Sequence, residues 1–325
     1  MTMCIPMLWL ELTGKCQLEC IHCYADSGPT GSAGTMTTDD WVSVLDQAVE
    51  LHTGLVQFIG GEPTLHPALP DLITHARALQ LEVEVFSNLG YVSSALWTAF
   101  TQSGVRLATS YYSPVASDHE AITGRAGSHA RTRDNIVQAL ERGIPLRVGI
   151  IGVLEGQQVE EAEAELKALG VTEVRVDWLR QVGRGVRDGE VGVEQLCGNC
   201  ASGSLAISPD GEVWPCVFSR WIRLGNVRQQ PLATIHTGPV AVAARADLAS
   251  TFTARATRSL TRHQGDPAFL PACLPDDCIP SGCIPASCIP ANCVPQPLTQ
   301  DKRTQLAGPS AHVSHEPLLL SQRTS

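Results

Sequence analysis

Three cysteines near the start of the chain carry the strongest chemical signal. In Glu11-Leu-Thr-Gly-Lys-Cys16-Gln-Leu-Glu-Cys20-Ile-His-Cys23-Tyr24 they are spaced Cys-x3-Cys-x2-Cys on one loop. Thiolates so close together suit a cubane iron–sulfur cluster, whose irons take cysteine sulfur. Three ligands leave a fourth iron open, as a reactive metal site requires, whereas a structural zinc site takes four. A zinc knuckle completed by His22, or three unrelated core thiols, are the competing readings. The other cysteines fall into groups: Cys4 alone, then Cys197, Cys200 and Cys216, then Cys273, Cys278, Cys283, Cys288 and Cys293. A chain of 325 residues can bury a core without disulfide staples, and its apolar start reads as a strand because it lacks the flanks of a signal peptide. Reduced, metal-binding thiols are therefore expected.

The cysteine-free middle supplies the elements that must position these groups. Strand-like runs occur at Leu8–Leu12, Leu55–Ile59, Leu81–Phe86, Val105–Thr109, Leu146–Ile151 and Glu173–Trp178. Helical patterns lie between them: one capped by Thr38 and running to about His52, one from Pro67 to Gln80, and one from Ser93 to Ser103. Two more cover Ala130–Arg142 and Val159–Leu169, each stopped by the glycine that follows. Six strands alternating with five helices predict a parallel α/β sheet, with functional residues gathered at the C-terminal strand ends. Periodicity leaves open whether that sheet is flat or curled into a partial barrel. The cysteine loop follows the first strand, Gly60-Gly61-Glu62-Pro63 the second, and Ser87-Asn88 the third.

These features together resemble the radical S-adenosylmethionine (SAM) enzymes. The cysteine loop matches their Cys-x3-Cys-x-Φ-Cys motif, with His22 at Φ, and Gly60-Gly61-Glu62 matches their Gly-Gly-Glu motif at the expected distance. The resemblance covers roughly residues 7–180. It implies a partial (β/α)6 parallel barrel, a [4Fe–4S] cluster on Cys16, Cys20 and Cys23, and SAM on the open iron. It further implies that Gly60, Gly61, Glu62 and Pro63 lie at the SAM amino group, that His22 and Tyr24 lie near the adenine, and that Ser87, Asn88, Ser110 and Arg125 serve the ribose and carboxylate. The glycines would let backbone approach the ligand.

From Gln181 the pattern changes to a glycine-rich, charged stretch that reads as a linker over residues 181–195. Leu205-Ala-Ile-Ser-Pro-Asp-Gly-Glu-Val-Trp214 then reads as a hairpin, and residues 232–250 are Ala-rich and helical. Cys200, Gly211 and Cys216 resemble the first half of the SPASM extension, which binds auxiliary [4Fe–4S] clusters, and Cys197 adds a thiolate. The second half departs from that pattern. In place of Cys-x2-Cys-x5-Cys-x3-Cys stand five Cys-x-Pro repeats, whose prolines favour extended backbone. Three plus five thiolates could complete two auxiliary clusters; the other reading is a low-complexity tail with idle cysteines. The expected organisation is thus a barrel over 1–180, a small cysteine-rich auxiliary-cluster domain over 196–296, and a disordered tail over 297–325. Cys4 reads as a packed thiol.

Net charge is −10, which argues against nucleic acid as a partner, and no apolar run approaches the roughly 20 residues of a membrane span. The resemblance implies reductive SAM cleavage, hydrogen abstraction by a 5′-deoxyadenosyl radical, a flavodoxin- or ferredoxin-type reductant, and a reducing cytoplasm. A ribosomally made peptide is the leading substrate class; because the radical core starts within ten residues of Met1, a leader-binding protein would be a separate partner. The runner-up is a dehydrogenase acting on a small molecule such as a sugar or cyclitol, and a third reading is a non-catalytic electron-transfer protein. Asp177, ending the sixth strand, is a candidate base, or else the partner of Arg175 or Arg180 in a salt bridge. Tyr111 and Tyr112 are candidates for the pocket wall, with one of them in the core.

Overall fold

A computed structural model describes residues 5–187, 191–200 and 203–262. Cys4 and the five cysteines Cys273 to Cys293 lie outside the described residues, as do residues 263–325. The strands are β1 (Met7–Glu11), β2 (Leu55–Ile59), β3 (Glu82–Phe86), β4 (Val105–Tyr111), β5 (Leu146–Gly152), β6 (Glu173–Trp178), β7 (Leu205–Ile207), β8 (Glu212–Trp214) and β9 (Gly225–Asn226). They form one sheet in the order β6-β5-β4-β3-β2-β1-β7-β8-β9. All neighbours from β6 to β7 are parallel, and β7, β8 and β9 run antiparallel to one another. Among the described residues both edges, β6 and β9, are open, so β1 to β6 form the parallel core of an unclosed α/β fold, with β7 continuing it beyond β1.

The helices are α1 (Thr38–Glu50), α2 (Leu69–Ala78), α3 (Ser94–Phe100), α4 (Ala116–Thr123), α5 (Ser128–Glu141), α6 (Val159–Ala168), α7 (Leu232–Thr237) and α8 (Pro239–Arg262). In α1, Trp41, Val44, Leu45 and Ala48 are buried, the i, i+3, i+4, i+7 stripe that a helix lays on a sheet. Its cap is Thr37 rather than Thr38. Thr37 Oγ1 accepts the Asp40 N–H at 3.1 Å, and Asp40 Oδ2 accepts the Thr37 N–H at 2.8 Å, forming a reciprocal capping box. Helix α4 has no counterpart in the sequence reading, which ran straight from β4 to α5. Its weak amphipathicity hid it, and Gly124 ends it in the left-handed conformation at φ 69°.

Alternation along the strands sends Leu8, Leu10, Val56, Phe58, Val83 and Val85 to the helix-covered core. The opposite face is polar toward the N-terminal ends of β3 to β5. There Glu84, fully buried, is gripped by Arg147 Nη2 at 2.8 Å and Nε at 2.9 Å, and by Arg106 Nε at 2.8 Å. Gln57 Nε2 also donates to Glu84. Burial works to raise the Glu84 pKa, but Arg147 and then Arg106 outweigh it and hold the carboxyl below its usual range.

Unpairing a buried charge is far costlier than the pair is worth, because the remaining ion stays desolvated. Replacing Arg147 by Met should therefore lower stability by about 3–5 kcal/mol. Arg106 cushions the loss toward the lower end, and guanidinium denaturation of the two proteins measures it.

Candidate active site

The cysteine loop leaves β1 at Glu11 and is clasped by the segment that leaves β2. Gly61 N–H donates to Thr13 O at 2.6 Å and Glu62 N–H to Lys15 O at 2.8 Å. A Cβ at Gly61 would stand 2.2 Å from Lys15 O, and Gly60 has φ 127° with Thr13 O 2.8 Å from its own would-be Cβ. The two glycines are thus required by the chain's own loop, whatever they offer a ligand. Pro63 opens a short 3-10 turn, Pro63–Leu65.

The Glu62 side chain ties the turn after β2 to the end of β3. Its Oε1 accepts the Thr64 N–H at 3.0 Å, Thr64 Oγ1 at 2.8 Å and Ser87 Oγ at 2.8 Å, while Oε2 accepts the Asn88 N–H at 2.8 Å. Its side chain is buried, and desolvation raises its pKa although each of these bonds opposes the shift. Asn88 in turn receives Gln17 Nε2 at 2.9 Å on Oδ1 and sends Nδ2 toward Cys16 Sγ at 3.6 Å.

Cys16 is buried, and Cys20 and Cys23 are half-buried; all three are free thiols. Desolvation, with Glu62 next, pushes the Cys16 thiol up to about 12, and desolvation and the neighbouring cysteines push Cys20 upward as well. Without a cation these groups stay protonated; with one they become thiolates. Cys16 Sγ already accepts the Leu18 N–H at 3.4 Å besides Asn88, bonds that favour the thiolate. Among the described residues no set of three His, Cys, Asp or Glu side chains converges on a single metal ion. Three thiols on one loop, with His22 turned to Tyr112 instead, are a donor set that a cubane cluster takes, one thiolate to each of three irons.

His22 is not drawn to the cysteines as a ligand. Its Nε2 meets the Tyr112 hydroxyl at 3.3 Å, and burial, then Arg187 and Arg184, lower its pKa to about 4, so it is neutral. Tyr112 opens an aromatic wall: its ring stacks edge-on to His22 and His119, each at 5.1 Å between centroids, and His119 meets Tyr111 at 5.1 Å. The Tyr111 hydroxyl bonds His129 Nε2 at 2.8 Å and Glu165 Oε2 at 2.7 Å, on the helix side of the sheet. Ser110 bonds the Tyr112 side chain. Arg125 is exposed and reaches Gln17 O at a long 3.5 Å.

The second thiol group sits on the sheet extension. Cys200 Sγ and Cys216 Sγ are 3.2 Å apart and buried, and Cys197 hydrogen-bonds to Cys200. Bonds from Cys200, with help from Ser219 and the Phe218 backbone, hold Cys216 below the usual thiol range against its burial. Two contacts tie this group to the first loop. Arg220 Nη1 grips buried Glu11 at 2.6 and 2.7 Å and lies 4.3 Å over the Trp214 ring, and Tyr24 packs edge-on to Phe218 at 5.3 Å. Asp177 is paired with Arg180 at 3.1 Å, not with Arg175, and its Oδ1 accepts the Trp178 N–H at 2.8 Å. Burial lifts the Asp177 carboxyl to about 6 despite Arg180. Sequence reasoning found the thiols and named Arg180 as a partner for Asp177, but missed the pairing of Glu11 with Arg220 and the role of Arg184. A carboxylate and an arginine 209 residues apart leave no local signal of their pairing.

The family model described as the Radical SAM superfamily matches residues 10–169, and that of SPASM, an iron–sulfur cluster-binding domain, matches residues 197–273. The chain is 26% identical over 267 residues to the antilisterial bacteriocin subtilosin biosynthesis protein AlbA of Bacillus subtilis (strain 168), covering 71% of this chain and 59% of that protein. It is 31% identical over 145 residues to the PqqA peptide cyclase of Xanthomonas campestris pv. campestris (strain B100), covering 44% and 38%. It thus spans less than two thirds of the length of these curated relatives. Among solved structures, Streptococcus suis SuiB bound to precursor peptide SuiA superposes with a TM-score of 0.65 at 12% identity, over 75% of this chain and 67% of that one. Native anSMEcpe with bound AdoMet superposes with a TM-score of 0.57 at 13% identity, over 73% and 82%. Both show a common fold.

Two outcomes follow from this geometry. Gly61→Ala should displace the cysteine loop and lose the iron bound there, while the iron at the second thiol group stays; iron analysis after anaerobic reconstitution reads both. His119 is buried, and burial with His129 lowers its pKa to about 3. Its folded pKa lies below the unfolded value, so its stability contribution is present above about pH 6.5 and is lost as pH falls toward 3. His119→Gln should flatten that acid limb in denaturant titrations across the range.

Proposed function

Since the chain belongs to the radical SAM family and carries a SPASM-type extension, we propose that it is a maturase that oxidatively modifies a ribosomally made peptide. One observation carries this reading: two separate thiol groups, each with a buried cysteine, stand at one continuous sheet, the first beside a Gly-Gly-Glu clasp and the second on the strands next to β1. Cys16, Cys20 and Cys23 would hold the SAM-binding [4Fe–4S] cluster. Cys197, Cys200 and Cys216, with thiolates of the Cys273–Cys293 repeat, would hold one or two auxiliary clusters. When bound, the first cluster supplies one electron for cleavage of SAM to methionine and a 5′-deoxyadenosyl radical.

The chain's own residues have definable parts in this scheme. Gly60 and Gly61 keep the β2 end bare of side chains at the cysteine loop, and Glu62 locks Ser87 and Asn88 beside it. Neutral His22 and the Tyr112 ring give the chamber a dry aromatic flank, which limits quenching of a radical by water. Ser110 and Arg125 are available to polar groups of the nucleoside end. Asp177 holds or releases a proton near neutral pH at its carboxylate, within the limits set by Arg180. The printed names of the relatives support the substrate class: one is a bacteriocin biosynthesis protein, another a peptide cyclase, and SuiB is described with a bound precursor peptide. A flavodoxin- or ferredoxin-type protein in a reducing cytoplasm would supply the electron. No helix among the described residues is long and apolar enough to cross a membrane.

Anaerobic reconstitution tests the reading. Wild type should bind about eight irons or more, and the Cys16/Cys20/Cys23 triple Ala variant about four fewer. Reduced wild type should convert SAM to 5′-deoxyadenosine, and the triple variant should not. A peptide encoded beside the gene should lose hydrogen atoms by mass spectrometry. Equal 5′-deoxyadenosine from the triple variant would falsify the catalytic reading, and an unmodified peptide with a turned-over sugar or cyclitol would replace the substrate class.

A further inference from the structure

The stretch after β6, which the sequence marks as a linker, is bonded to the cysteine loop through Arg184 and Arg187. Arg184 N–H donates to Cys23 O at 3.0 Å, its Nε donates to Cys20 O at 3.0 Å, and its Nη2 donates to Ser27 O. Arg187 Nη2 reaches Ile21 O at 3.2 Å. Gly183, at φ 56°, brings the strap so close that a Cβ there would stand 2.5 Å from both Cys23 O and Tyr24 O. At its other end, Arg180 Nη1 donates to Gln195 O at 2.9 Å and Gln181 N–H to Gln195 Oε1 at 2.9 Å, two residues before Cys197. The strap therefore sets two guanidinium groups against the backbone of Cys20 to Cys23. Among the described residues Arg184 pairs with one carboxylate, that of Asp26, which stands 3.7 Å away and is mostly exposed, so it offsets little of this charge.

We propose that Arg184, with Arg187 beside it, is a positioning residue that raises the reduction potential of the cluster held by Cys16, Cys20 and Cys23. The inference rests on the iron–sulfur reading of that loop. A cubane bound by three thiolates gains negative charge when it is reduced, and a fixed cation nearby stabilises the reduced state more than the oxidised one. The bonds to carbonyl oxygens fix the distance at which the charge works. A loop held only by packing would leave that distance, and hence the potential, loose.

Redox titration of the reconstituted full chain, followed by electron paramagnetic resonance, tests this. The signal to follow is the one missing from the Cys16/Cys20/Cys23 triple Ala variant. Arg184→Gln should shift its midpoint to more negative potential, Arg184→Lys should stay near wild type, and Arg187→Gln should shift the same way by less. An unchanged midpoint in Arg184→Gln overturns the proposal, as does an equal shift in Arg184→Lys, which would make the effect one of shape rather than charge. If Arg184→Gln fails to hold iron, Arg187→Gln decides: a negative shift supports the proposal and none overturns it. A wild type without the signal refutes the functional reading instead.

Discussion

Everything at the mouth of this sheet depends on a backbone-to-backbone contact between the cysteine loop and the residues that leave β2. Thr13 O and Lys15 O accept the N–H groups of Gly61 and Glu62, and neither Gly60 nor Gly61 has room for a side chain. The contact has two consequences. It fixes the loop on which the three thiols stand, and it aims the Glu62 carboxylate at the ends of β3 and its own turn. A carboxylate buried at that depth survives because every bond it can reach is made, since an unpaired one would be expelled or neutralised.

The second thiol group is joined to the first by means that would be costly to break. β7 pairs in parallel with β1, so the extension continues the sheet rather than resting on it. Across that seam the buried Glu11 carboxylate takes two close bonds from Arg220, and Arg220 lies over Trp214. Such a desolvated pair adds little net stability but strongly disfavours any arrangement that separates it. The strap through Arg180, Arg184 and Arg187 crosses the same seam from the β6 side. Two links, Arg220 on Glu11 and the strap, thus join the two thiol groups.

The aromatic wall has a different character. His22, Tyr112, His119 and Tyr111 meet at ring edges, and both His22 and His119 are kept neutral by burial. This puts a low-polarity patch at the end of β4, beside the cysteine loop that carries His22.

The sequence by itself determined a good deal. Cysteine spacing identified the loop and its chemistry, and β-branched runs between helical stripes located β1 to β6 within a residue or two. The Gly-Gly-Glu segment was recognised at the end of β2. These are local features, written in spacing and periodicity, and local physics is what a sequence displays. Other features were decided only in three dimensions. Helix α4 has too weak a stripe to be read, and its place comes from His119 meeting the Tyr111 and Tyr112 rings and from Ile122 O and Thr123 O accepting the Ile21 and Glu19 N–H groups of the cysteine loop. The reason for the two glycines lay in the approach of a loop distant in sequence, not in a ligand alone. Glu11 with Arg220, Glu84 with Arg147, and Arg184 with the cysteine carbonyls join residues 63 to 209 positions apart. Each such pair forms because burial makes an unpaired charge or carbonyl intolerable, and burial is a property of the folded chain, not of any segment of it.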